Sequence, residues 1–194
     1  MIAPQSLCVY CGSSTGNRSI YRDAAETLGR AIAEAGMRLV FGGGGVGLMG
    51  VLCDSVLRHG GQVTGIIPGF LREREAHRGG LDELYIVESM HERKQMMFEQ
   101  SDAFAILPGG FGTLDELFEM VTWRQLDLHD KPIVLVNIDG YWDPLLALVG
   151  RQVAEGFVRP RHLDLLRVVD RAEDVIPALR EEPPAALPAQ PRRV

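Results

Sequence analysis

This sequence predicts an α/β fold: a Rossmann-like, doubly wound, mainly parallel sheet in a single domain. Three observations predict it. Short apolar runs rich in β-branched residues recur along the chain, and stretches with apolar residues at helical spacing separate them. Most of the runs are continuous rather than alternating in polarity, the pattern of strands buried on both faces of a parallel sheet. Strand and helix alternate, which builds βαβ units. The 194 residues suit one domain with a sizeable core, expected over residues 1–180.

The elements follow in order. The first strand is "SLCVY" (6–10). A helix over 18–35 places Ala24, Ala25, Leu28, Ala31 and Ile32 on one face and stops at Gly36. The second strand is "MRLVF" (37–41), and its helix, 48–58, ends at Gly60 and Gly61. "QVTGII" (62–67) and "LYIVE" (84–88) are the third and fourth strands. A helix over 91–101 leads to the fifth strand, "AFAIL" (103–107), and a helix over 113–126 leads to the sixth, "PIVLV" (132–136). A helix over 141–156 follows, and "RVV" (167–169) is a short extra edge strand. The Pro- and Ala-rich "EEPPAALPAQPRRV" (181–194) is expected to be a disordered tail.

Charge and composition exclude several functions. A net charge of -6 and a pI near 5.4 argue against binding a nucleic acid polymer, which needs clustered Lys and Arg. A small anion needs only a few local donors. The N-terminus has no basic region before a long apolar core, so no signal peptide is expected. No apolar run is long enough to span a bilayer. Three cysteines do not suggest a disulfide framework, so the expected setting is the reducing cytoplasm, with no membrane partner. Cys8 and Cys11 form a C-x-x-C without a second one to complete a zinc site. Within a strand they point to opposite faces and read as small apolar residues. The histidines show no ligand spacing, and no metal is expected.

In an open α/β sheet, ligands bind beyond the carboxyl ends of the strands. Three such ends here carry small residues: "CGSSTG" (11–16), "GGGGVGLMG" (42–50) and "PGGFGT" (108–113). Each leads into a helix, whose unpaired N–H groups and partial positive charge attract anions. Ser13 and Ser14 add hydroxyls from the first loop. "GVGLMG", Gly45 to Gly50, matches the dinucleotide pattern G-x-G-x-x-G, yet no acid closes the next strand to hold a ribose. Its glycines either pack the helix tightly onto the sheet or, with Gly43 and Gly44, touch a mononucleotide.

In the third loop, Thr113 sits where an N-cap belongs and Glu116 follows three residues on, a capping box. Glu116 either ties down the helix start or acts on whatever the glycine loop anchors. Arg93 and Lys94 occupy the first turns of a helix, against its macrodipole. They either form a solvated face paired with Glu92 or Glu99, or serve a site.

"SMHERKQMM" followed by "PGGFGTLDE" resembles the paired signature of the LONELY GUY family, M-x-x-R-K and P-G-G-x-G-T-x-x-E. These are cytokinin riboside 5′-monophosphate phosphoribohydrolases, often mislabelled lysine decarboxylases. The likeness extends from "CVYCGSS" through "FGGGGVGLMG" and on to residue 146, and excludes the tail. Asp115 stands where plant members often carry Glu. The resemblance implies a Rossmann-like fold, dimers or larger assemblies, and hydrolysis of the bond between base and ribose 5-phosphate. It implies Arg93 and Glu116 as the catalytic pair. It also implies substrate contacts from Glu75, Lys94, Thr122 and the loop Gly109, Gly110, Phe111, Gly112, Thr113, Leu114 and Asp115. The short chain leans toward a homodimer.

The chemistry agrees. Cleaving an N-glycosidic bond builds oxocarbenium character on the ribose, which a carboxylate such as Glu116 can stabilise while it orients a water. Arg93 either holds the phosphate or ribose or helps the base depart. Gly109, Gly110, Gly112 and Thr113 would hold the 5′-phosphate. The substrate is then a nucleoside 5′-monophosphate, and no cofactor is expected. A pyridoxal-dependent decarboxylase needs a Schiff-base lysine, and the chain offers only Lys94 and Lys131. Two alternatives stand beside the cytokinin reading: an AMP nucleosidase without cytokinin preference, and a non-catalytic nucleotide-binding carrier on the same scaffold. A carrier would not require the Arg93 and Glu116 pair.

Overall fold

The computed structural model describes residues 4–75 and 79–180, with the side chains of residues 73–75 outside that description. The expected tail, 181–194, also lies outside the described residues. Seven parallel strands form one sheet: β1 Ser6–Tyr10, β2 Arg38–Phe41, β3 Val63–Pro68, β4 Glu83–Val87, β5 Ala103–Ile106, β6 Ile133–Val136 and β7 Arg167–Val169. Their spatial order is β4-β3-β2-β1-β5-β6-β7. The chain winds outward from β1 to β4, then returns to place β5 against the other side of β1, with Leu7 opposite Ala103 and Tyr10 opposite Ile106. The order therefore reverses between β1 and β5, and the crevice for a ligand opens at their carboxyl ends.

The helices are α1 Ser19–Glu34, α2 Gly47–Arg58, α3 Gly69–Glu75, α4 Met90–Glu99, α5 Phe111–Gln125, α6 Asp143–Ala154 and α7 Val175–Arg180. Burial divides the core by sheet face. On one side Leu28, Ile32, Leu52 and Val56 of α1 and α2 pack on Leu39 and Phe41. On the other, Met97, Leu117 and Met120 of α4 and α5 pack on Tyr10, Phe104 and Ile106. Each fully buried aliphatic side chain contributes about 1.5–3 kcal/mol. Cys8 and Cys11 fall in opposite clusters, as strand alternation requires, and all three cysteines are free.

Every residue of β1, β3, β5 and β6 is buried, the two-sided burial expected of continuous apolar strands. β4 differs. It is an edge strand paired only with β3, and Leu84, Tyr85 and Ile86 are exposed despite the apolar run. α3 and α7 are short helices that the apolar spacing did not predict. Among the described residues no helix is long and apolar enough to cross a membrane.

Candidate active site

Three loops meet at the reversal point, and main-chain bonds lock them together. The Leu107 N–H donates to Tyr10 O at 3.0 Å, which carries the pairing of β1 and β5 into their loops. The Gly12 N–H donates to Pro108 O at 3.0 Å, and the Leu48 N–H donates to Gly12 O at 3.0 Å. Gly12 thus joins the first loop to the other two. Packing accounts for part of the glycine content: Gly47 has φ +61 and a Cβ there would sit 2.2 Å from the Ser13 carbonyl carbon. Of the two readings of "GVGLMG", close packing holds at this position. Gly112 is different, because a Cβ there meets nothing within 4 Å and its φ is not positive. Neither packing nor backbone geometry asks for glycine at the start of α5.

The loops enclose a cavity of about 240 Å³. Tyr10 to Ser13, Gly42 and Met49 form one wall; Met90, Arg93 and Met97 of α4 form another; Gly110 to Thr113, Asp115 and Glu116 of α5 close it. Arg93 and Glu116, from separate βα units, therefore face one space. α5 begins at Phe111 with Gly110 as N-cap, and no side chain caps it. Its first N–H groups are presented where an anion would be received.

The capping box expected at Thr113 and Glu116 does not form. The helix starts two residues earlier, so Thr113 is already inside it, buried, with Oγ1 turned toward Gly109. Glu116 is free of that duty. A variant of such a box stands at α4, where Ser89 Oγ accepts from the Glu92 N–H at 3.1 Å and Glu92 Oε2 accepts at 2.8 Å from the N–H of Glu88, one residue before the cap. The S-x-x-E of 89–92 was its signal.

Arg93 is only 7 % exposed. Its Nη2 donates to Gly42 O at 2.7 Å and its Nε donates to Ile66 O at 3.2 Å. Two of five guanidinium N–H groups tie the side chain to the residue that follows β2 and to the body of β3. Gly42 makes this possible, because a Cβ there would lie 2.0 Å from Nη2. Sequence reading missed Gly42 as an individual site residue; the four-glycine run was the signal. We expect Gly42→Ala to destabilise the fold by about 1–3 kcal/mol through overpacking and to lower turnover nearly as far as removing Arg93 does; thermal unfolding and steady-state kinetics check both.

Lys94 turns away from the cavity. Its Nζ pairs with Asp115 at 3.0 Å and Glu119 at 3.2 Å, fastening α4 to α5 on either side of Glu116. These acids, not Glu92 or Glu99, are its partners. Burial alone would lower its pKa, but the hydrogen bonds to the two carboxylates outweigh that and raise it. Lys131 donates to Phe98 O at 2.7 Å and lies over the Phe98 ring. Neither lysine lines the cavity.

Burial pushes the Glu116 carboxyl up to about 7; the Arg93 guanidinium opposes this and the neighbouring Asp115 adds to it. A carboxyl with that pKa exchanges protons at neutral pH. The remaining expected residues divide. Ser13 lines the cavity, whereas Ser14 Oγ accepts from the Gly16 N–H at 3.2 Å. Gly43, Gly44 and Gly109 stand behind the wall, and Leu114 packs against the core. Thr122 is exposed near the far end of α5. Glu75 ends α3, and its side chain lies outside the described residues. Met96, Phe98 and Trp123 pack on the core, while Met97 is buried at the cavity wall. Among the described residues no cluster of His, Cys, Asp and Glu could hold a metal.

Residues 49–179 match the family described as "Possible lysine decarboxylase". A probable cytokinin riboside 5′-monophosphate phosphoribohydrolase of Oryza sativa subsp. japonica is 52% identical over 153 residues, 79% of this chain and 69% of that one. A cytokinin riboside 5′-monophosphate phosphoribohydrolase of Arabidopsis thaliana is 44% identical over 178 residues, 92% of this chain and 83% of that one. Among solved structures, the molybdenum cofactor carrier protein of Chlamydomonas reinhardtii has a TM-score of 0.69 at 19% identity and covers 90% of this chain and 95% of its own. That likeness is one of fold alone.

Proposed function

Because this chain belongs to the family of cytokinin riboside 5′-monophosphate phosphoribohydrolases, we propose that it hydrolyses the N-glycosidic bond of cytokinin adenosine 5′-monophosphates, releasing free base and ribose 5-phosphate. It is a nucleotide N-glycosidase. The single observation that carries this reading is the convergence of Arg93 and Glu116 on one cavity beside the uncapped N-terminus of α5.

The proposed reaction needs only water as co-reactant. The 5′-phosphate is received by the N–H groups of Gly110 to Thr113 and by the Ser13 hydroxyl. Arg93, held rigid by two carbonyls, grips the ribose phosphate. As the bond from C1′ to the base nitrogen breaks, its electron pair leaves with the base and positive charge grows on the ribose. The ionised Glu116 carboxylate stabilises that charge, orients a water toward C1′ and takes its proton. A proton returned to the departing nitrogen completes the balance.

Asp115 lines the cavity and is held there by Lys94 from behind the wall, and Gly109 shapes the loop that holds the phosphate. Glu75, Phe111, Leu114 and Thr122 remain proposed contacts on the family resemblance, and Ser14, Gly43 and Gly44 on their place in the first two loops. The protein is proposed to work in the cytoplasm as a homodimer, folded as one domain over residues 1–180.

A direct test compares a nucleoside 5′-monophosphate with the same nucleoside lacking phosphate. Only the first should be cleaved efficiently; equal rates would remove the phosphate cradle from the account. Gly112→Ala sharpens it. Alanine in a helix is worth up to about 1 kcal/mol over glycine, so the variant should unfold at a slightly higher temperature. It should also raise KM about tenfold, because the new methyl group intrudes where the phosphate approaches.

A further inference from the structure

Gly109 supplies no cavity surface, but its carbonyl has a specific partner. The Tyr141 hydroxyl donates to Gly109 O at 2.6 Å, across 32 residues of sequence. Tyr141 does not line the cavity, whereas Gly110 does. In a trans peptide the carbonyl and the following N–H point in opposite directions. A Gly109 carbonyl drawn toward Tyr141 therefore turns the Gly110 N–H away from Tyr141, and Gly110 is the residue of this peptide that lines the cavity. Were this peptide to flip, a carbonyl oxygen would face the anion and repel it. Two glycines at 109 and 110 leave the peptide little local preference of its own, so the orientation needs an external hold.

We infer that Tyr141 is a positioning residue that fixes the 109–110 peptide with its N–H toward the phosphate. The inference rests on the nucleotide reading above and names a residue which that reading does not use. The tyrosine is itself held in place. Its ring meets Tyr21 of α1 edge-on, with centroids 5.5 Å apart, and Trp142 at 4.7 Å. The turn that carries it is braced by Asn137, whose side chain donates to Asp143 Oδ1 at 2.8 Å and accepts from the Trp142 N–H at 2.7 Å. An ion pair from Arg18 at the start of α1 to Asp139, at 2.6 Å, fastens the same turn to the first loop's helix. The hydroxyl is thus aimed by a preformed frame and loses little entropy in making its bond.

Tyr141→Phe tests this, because it removes one oxygen and keeps the ring contacts. Two quantities are read: steady-state kinetics on AMP or isopentenyladenosine monophosphate, and binding of inorganic phosphate by calorimetry. KM and the phosphate dissociation constant should rise together by about tenfold, the scale of one hydrogen bond to a charged group, with kcat nearly unchanged. Cleavage of the unphosphorylated nucleoside, however slow, should not respond. The unfolding temperature of the variant shows whether the frame is intact, and Tyr141→Leu, which also breaks the ring contacts, shows what loss of the frame adds. Phosphate binding as tight in Tyr141→Phe as in the wild type would overturn the inference. If the wild type cleaved neither nucleotide, the proposed reaction would fall, while the phosphate titration would still decide the role of Tyr141.

Discussion

Glu116→Gln should lower base release by about 10²–10⁴-fold, the usual worth of a positioned acid–base group, while nucleotide binding survives. Glutamine keeps the shape and loses the charge that stabilises the oxocarbenium ion and the lone pair that accepts the water proton. The same substitution should stabilise the protein at alkaline pH. The folded-state pKa of Glu116, about 7, lies above its ordinary value of 4.5. Between those values the folded chain binds more protons than the unfolded one, so stability falls as pH rises through this window. Its favourable share is complete below 4.5 and gone above 7. At pH 8 the wild type carries a half-buried carboxylate that Gln lacks, and the variant should be more stable by about 1–3 kcal/mol; at pH 4 the two should coincide. Denaturant melts at both values check this. In the wild type, kcat/KM should rise with pH through about 7, because the working form is ionised. A profile that falls through that range would make Glu116 a general acid instead.

The second large effect falls on Arg93. Arg93→Ala should reduce kcat/KM by about 10²–10³-fold through loss of a charged contact to the substrate. It should also destabilise the fold by about 2–4 kcal/mol, since Gly42 O and Ile66 O lose their buried donor. Arg93→Lys separates charge from geometry. Lysine restores the cation, but its single ammonium cannot reproduce the planar fork that meets two carbonyls and a ligand together. Its recovery should therefore be partial in stability and small in activity. Removing Arg93 also removes a cation that lowers the Glu116 pKa, so residual activity should shift to higher pH. If Arg93→Ala left rate and binding untouched, its role would be to fasten strands and nothing more.

Much of the frame was legible because its signals are local. Continuous β-branched runs marked all seven strands, and the alternation of strand and helix made them parallel. The glycine loops at three strand ends marked the crevice. The misreadings have physical causes. T-x-x-E at 113–116 looks like a helix start, but the helix already begins at Phe111, and its glycine N-cap leaves no side-chain signature. "LYIVE" has a core composition, yet its place at the sheet edge leaves Leu84, Tyr85 and Ile86 exposed, and position in a sheet is not written in a run of five residues. The placement of Lys94 behind the wall depends on two acids one turn apart on another helix. Gly42 and Tyr141 act through contacts 51 and 32 residues away, separations that no short pattern reports.

The central claim is that these loops, with Arg93 and Glu116, break a bond rather than only hold a nucleotide. Incubating the wild type with AMP and with isopentenyladenosine monophosphate in parallel, and quantifying free base and ribose 5-phosphate by chromatography, tests it most directly. Both products should form in equal amounts, with the isopentenylated nucleotide consumed faster. Nucleotide that binds tightly and is recovered unchanged would contradict it and mark the protein as a carrier.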